Sequence, residues 1–401
     1  MRAQIAFDLS LTTPVNFFTL DDPVRGVLDN TTYVLGGDVL VDVTSYLRSV
    51  SVRRGRSRML DRFTAGNCTL VLDNRARTFD PLYAAGPYFG SIKPRKQVVV
   101  DIDGEPLFTG SVADWNLSYD VGGDSTAEPS CTDAFDMLAG QTISAGTATG
   151  QLTGARIGAI LDAVSWPAGR RDVATGQATL DADAHDDVAA LTYLQQVETS
   201  EPGAVFIGRA GDLVFRDRAY LQSATSGATF GGTAIPFMAL QVVSGVEEMV
   251  NTASVIWSAG TAVGGTATAT NAASVTAYGE FPATYDTLLA DATQAQGFAD
   301  WVTGRYGEPA YRVDAITVRM AGLTPAQRAT VLGLDLADVV TVTFTPNNVG
   351  TAISQVVSID GSEHTADPGV HDVTFTLSET LAAFILDDAA FGGLDSDRRG
   401  V

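Results

Sequence analysis

The chain has 401 residues, too long for one ordinary core and expected to divide into two or three domains. Its 45% hydrophobic and 18% charged residues exclude general disorder. A formal charge of −22 repels a phosphate backbone and argues against specific nucleic-acid binding. The acidity suits either plain solubility or a wall past which a polyanion slides. Apolar stretches are no longer than strands, so no membrane span is expected. Met1 to Asp8 lacks a long apolar core, so no secretory leader is expected there. Of the 25 basic residues all but Lys93 and Lys96 are arginine, which with abundant Ala, Gly, Asp, Thr and Val suggests a GC-rich source.

In chain order, Thr32–Leu35 and Val39–Thr44 read as short strands around a turn at Gly36-Gly37-Asp38. Asn67–Asp73 is another strand. A Pro- and Gly-rich loop from Phe79 to Pro94 leads into strand Gln97–Ile102, which turns at Asp103-Gly104 into Pro106–Val112. Trp115, Leu117 and Tyr119 follow at period two, on one face. Near residue 150 the period changes. Ile157, Ile160, Leu161 and Val164 mark a helix that stops at Trp166-Pro167. Asp186 or Asp187 is expected to cap a second helix carrying Val188, Leu191, Leu194 and Val197. Ala204–Ile207 and Leu213–Phe215 form a hairpin. Thr252–Trp257 is a strand, and the Gly/Ala/Thr tract from Gly260 to Thr270 reads as a mobile loop. Ala292, Ala295, Ala299, Val302 and Tyr306 form one helix face.

The last β-rich part repeats the order of the first. Strand Ala315–Met320 leads to a helix with Thr324 as cap, Pro325 at its first position and Gly333 beyond its end. Strands Asp338–Phe344 and Ile353–Ile359, a turn at Asp360-Gly361, and strand His371–Leu377 follow. Lys96–Val100 and Ala337–Val342 hold equivalent places. The order fits two divergent copies of one β fold, or chance recurrence in a β-rich chain. The expected fold is mainly β with an α+β insertion: two tube-like β-barrel or sandwich domains flanking a small α/β domain. The expected boundaries are 1–145, 146–245 and 246–381, with a C-terminal arm over 382–401.

Arg53-Arg54-Gly55-Arg56, Leu60–Gly66 and Leu72–Pro81, with Pro87-Tyr88, Lys93-Pro94 and Pro106–Gly110, resemble the opening domain of minor tail proteins of long-tailed bacteriophages, particularly actinobacterial ones. Ser274–Gly279, Asp338-Val339-Val340, His364, His371-Asp372-Val373 and Leu377-Ser378 are similar to the second half of tail hub proteins. The resemblance implies a homotrimer whose six tube domains make a pseudo-sixfold ring at the virion tail tip. It implies contact with the distal tail protein ring, the C-terminus of the tape-measure protein and other tip proteins, around a lumen that DNA traverses.

Enzyme signatures are lacking: no Gly-x-Ser-x-Gly elbow, phosphate loop or dinucleotide fingerprint occurs, and no cofactor is expected. The acidic run Asp181–Asp187 fails the calcium-loop template, having Asp186 at its sixth position and Thr192 at its twelfth. It reads as a solvated, helix-capping loop. His364 and His371 lack zinc-protease spacing and read as strand-end residues. Cys68 and Cys131 read as buried small apolar residues rather than a disulfide or metal site. Trp115, Trp166, Trp257 and Trp301 read as core or interface anchors. Arg53, Arg54, Arg56, Arg58 and Arg62 either bind an acidic neighbour or form a solvated loop. Phe384, Ile385 and Leu386 form an apolar arm suited to docking on a partner. A receptor- or carbohydrate-binding tip protein would need an extra sandwich, and a hub with cell-wall hydrolase activity an appended domain. About twenty residues follow Leu381, so neither addition is expected.

Overall fold

The computed structural model describes residues 1–8, 23, 38–58 and 61–380. The expected strand Thr32–Leu35, the turn at Gly36-Gly37, the arm over 382–401 and its Phe384, Ile385 and Leu386 lie outside them. The chain is mainly β, built on a 13-stranded sheet. Seven of its strands come early: β1 Arg2–Asp8, β2 Asp38–Asp42, β3 Leu47–Gly55, β4 Thr64–Asp73, β5 Gln97–Ile102, β6 Glu105–Tyr119 and β7 Ser125–Thr132. Alternation sets the buried face: Val50 and Val52 on β3, Cys68, Leu70 and Leu72 on β4, Val98 and Val100 on β5 are all buried. Each such side chain contributes about 1.5–3 kcal/mol by leaving water. Cys68 and Cys131 lie directly opposite on β4 and β7, buried and unbridged. β5 turns into β6 at Asp103 and Gly104, both with positive φ (55° and 90°), the geometry that matches strand twist in a two-residue hairpin. The connection over 74–96 is a series of turns. Phe79 and Tyr88 of that connection close over β1 and β6. Tyr88 stacks on Phe7 at 4.2 Å, and Trp115 lies 6.4 Å from Phe79.

Between the β parts sits the α/β insertion. Helices Thr153–Ala163 and Ala190–Ser200 pack on strands Arg171–Val173, Ala204–Ile207 and Leu213–Arg216. Arg156 is fully buried, donating to Thr149 O and Asp181 O at 2.8 Å each and to Tyr193 Oη at 2.7 Å. The expected cap by Asp186 or Asp187 is corrected: the second helix starts at Ala190, with Ala189 at the cap position and no side-chain bond there. Asp183–His185 and Val188–Ala189 pair as short strands with Gly146–Ala148 and Thr142–Ile143. Asp187 instead accepts from Ala145 N at 3.0 Å.

Glu198, on that helix, is buried; burial pushes its carboxyl up to about 7, opposed by the Val205 N–H that one oxygen accepts. The other oxygen has no hydrogen-bond partner. Below the ordinary carboxylate range both folded and unfolded states hold the proton. As pH rises to about 7 the unfolded state loses it first, so stability falls. Glu198→Gln should therefore stabilise by about 2–3 kcal/mol at pH 8 and change little at pH 4, as urea unfolding at the two pH values would show.

The remaining sheet strands are β8 Ala228–Phe230, β9 Ala239–Gly245, β10 Ala310–Arg319, β11 Val339–Phe344, β12 Ile353–Asp367 and β13 Val370–Glu379. Before β10, strands Thr252–Ala259, Ala262–Thr270 and Pro282–Asp286 make a separate three-stranded sheet under helix Ala292–Tyr306. The Gly/Ala/Thr tract is thus a strand, not a mobile loop. Its small residues are set by close packing: a Cβ at Gly264 would stand 2.2 Å from the Trp257 ring. The helix lays its small buried face, Ala295 and Ala299, against this sheet. Helix Pro325–Gly333 separates β10 from β11, with Thr324 and Gln327 forming a capping box; Gly333 is its last residue rather than the one after.

The strand order β3-β4-β7-β6-β5 recurs as β9-β10-β13-β12-β11. β6 shifts register against β5 at Leu107. The long strands β6 and β12 each also shift against the next strand of their own unit, β7 and β13, between Val112 and Asp114 and between Ile359 and Gly361. Aligning the two bulges makes Val98, opposite Gly110, equivalent to Val340, opposite Val357. Asp360-Gly361 is accordingly this bulge and not a turn. The chain reverses later, at Pro368 and Gly369 (φ 107°).

Candidate assembly surface

The two recurring units meet at one seam. After its bulge β12 leaves β11 and pairs with β3, running antiparallel from Gly361 opposite Gly55 to Ala366 opposite Val50. Gly55 has φ +109° and sits so close that a Cβ would stand 2.2 Å from Asp360 O. Only glycine meets both demands.

The arginine cluster divides at this seam. Arg54 turns inward, pairing with Asp335 at 2.9 Å and donating to Ile207 O at 2.9 Å, so it ties the first β part to the second and to the insertion. Arg56 pairs with Asp360 at 3.0 Å and lies over the Phe63 ring at 4.5 Å. Both arginine side chains and Asp360 are almost wholly buried, so losing one partner would strand a charge at about 3–5 kcal/mol. Arg53, Arg58 and Arg62 stay exposed. Arg53 faces Glu363 across the seam; Arg58 is 3.5 Å from Glu247, and Arg62 donates to Thr199 at 3.3 Å. Arg53, Arg56, Asp61, Arg62 and Glu363 line an open cleft of about 390 Å³ beside it.

His364 and His371 stack across the β12–β13 hairpin, Nδ1 to Nε2 at 3.2 Å. Burial, then mutual repulsion, pushes His364 down to about 3; burial also lowers His371, to about 4. Both are neutral at pH 7. His371 is the second residue of β13 and so lies at a strand end, whereas His364 is buried inside β12.

Among the described residues, β9 and the Asp114–Tyr119 stretch of β6 each have an edge with no strand on it, as do the terminal strands β2 and β8. Among the same residues no three His, Cys, Asp or Glu side chains gather to hold a metal, and no helix is long and apolar enough to cross a membrane. Asp181 is used internally, accepting from Ala182 N and Gly260 N. Sequence reasoning missed Asp335 and Asp360 as partners of the arginines. The nearest signal was Asp360-Gly361 inside an otherwise continuous strand pattern.

No family model matches the chain, and no curated protein matches its sequence. Solved structures do match it. The 43 kDa tail protein of prophage MuSo2 from Shewanella oneidensis superposes with TM-score 0.56 and 18% identity over 86% of this chain and 96% of its own. A tail protein from Neisseria meningitidis gives 0.57 and 12% over 86% and 94%. Prophage tail protein gp18 from Listeria monocytogenes gives 0.50 and 11% over 94% of each. The chain has the fold of phage tail proteins.

Proposed function

We propose that this chain is a structural hub subunit at the tip of a phage tail, not an enzyme. Three copies form a ring in which two β units per chain give six similar positions around a DNA channel. The ring joins a sixfold tube and distal tail ring above to threefold tip proteins below, and meets the end of the tape-measure protein in the lumen. The observation that carries this reading is the repeated strand order with a bulge at the same place in both long strands. A ring of this kind buries on the order of 2,000 Å² per interface. Arg53, Arg58 and Arg62 are proposed to meet an acidic neighbour, and the arm with Phe384, Ile385 and Leu386 to dock on a partner. The test is a symmetry-free reconstruction of the tail tip or of the purified protein. Threefold density with both units lining one lumen is expected. Strict sixfold density with one unit per position would overturn the reading and favour a distal tail ring.

A further inference from the structure

Inside the chain, the outer strand of the first unit, β3, is covered by the distal half of the second unit's long strand, β12. The corresponding pieces of the two units, β9 and the distal half of β6, are both edges with no strand on them among the described residues. β9 is the outer strand of the second unit, and Asp114–Tyr119 is the distal half of the first unit's long strand. We infer that these two edges pair with each other between copies, repeating the internal seam, so that Asp114–Tyr119 of one chain runs antiparallel to Leu240–Gly245 of the next. This rests on the ring reading for the number of copies, but not for the pairing itself.

The register follows from the strand partners. Ser51 on β3 and Gln241 on β9 hold the same place, opposite Thr69 and Ala315, which are themselves opposite Ser130 and Thr376. Counting from the bulges, Ser118 corresponds to Thr365. Since Thr365 faces Ser51, Ser118 should face Gln241. Leu117 then meets Val242, and Tyr119 meets Leu240.

The side chains agree. At the internal seam His364, Ala366, Val50 and Val52 are buried, while Thr365 and Ser51 face solvent. At the open edges Leu117, Leu240 and Val242 are left half-exposed and Tyr119 is 53% exposed, while Ser118 and Gln241 face solvent. The apolar positions are those that pairing would cover. Neither edge carries the lysine, proline or inward charge that natural proteins place on strands meant to stay unpaired. The occupant is a second copy, because the same chain carries both halves of the joint and already shows the joint made once.

The test is oxidation of the double variant Ser118→Cys/Gln241→Cys, with native mass measured in parallel. A disulfide between chains is expected, closing a covalent trimer, while either single variant and the displaced pair Ser118→Cys/Val243→Cys link at least tenfold less. The wild-type control sets aside the buried Cys68 and Cys131. A trimer by mass with no link would overturn the seam and leave the hub standing. A closed linked species of another size would support the seam and overturn the threefold reading. A link within one chain, or a protein monomeric at tens of micromolar with no link, would overturn the seam.

Discussion

Val340→Asp is expected to prevent the second β unit from folding, and Val98→Asp to do the same to the first. Val340 is fully buried on β11, which lies between β8 and β12. The substitution removes a buried isopropyl group, about 1.5–3 kcal/mol, and puts a carboxylate where no donor is aimed. The combined loss should reach about 5 kcal/mol or more, a large part of the stability of an ordinary domain. Insoluble protein on expression, or a urea midpoint far below wild type, would register it. Val98 is equally buried and equivalently placed, so the two variants should lose similar amounts. A Val340→Asp protein with an unchanged midpoint would contradict the placement of β11.

Gly55→Ala should open the internal seam. Alanine at φ +109° is strained, and its methyl would fall 2.2 Å from Asp360 O and 2.5 Å from Gly361 Cα. Both obstacles are backbone, so relief requires the strands to part. Strain and overlap together should cost about 3–5 kcal/mol. The loss should concentrate locally, with faster hydrogen exchange at Gly361 to Ala366 and at Val50 to Arg54, while the insertion stays protected. Uniformly unchanged exchange would mean that the seam does not depend on this close approach.

Local chemistry makes several elements legible in the amino-acid sequence. Gln97–Ile102 is a β-branched run ended by Asp103-Gly104, and the helix at Pro325 announces itself with Thr324, Pro325 and Gln327. Of the stripe Ala292, Ala295, Ala299, Val302 and Tyr306, the last four lie on the buried face of the helix, while Ala292, its first residue, is exposed. What stays hidden depends on residues distant in the chain. The tract from Gly260 reads as mobile because composition cannot show that Trp257 and a helix lie across it. The arginines read as one basic patch because nothing local reveals that Asp335 and Asp360 take two of them out of solvent. Asp360-Gly361 has the composition of a turn, whereas its glycine admits a strand from the other unit. Periodicity reports which face of a strand is buried. It carries no information on which strand lies alongside.

The connection before β5 is a chain of turns, whereas the one before β11 contains the helix Pro325–Gly333. In a closed circle of alternating units the two decorations would alternate as well, bare and helical, around one rim. A binding protein that reads the helix would find three landing places, and one that reads the shared strands would find six. A single polypeptide would thereby present different valencies to different neighbours without any change in its backbone.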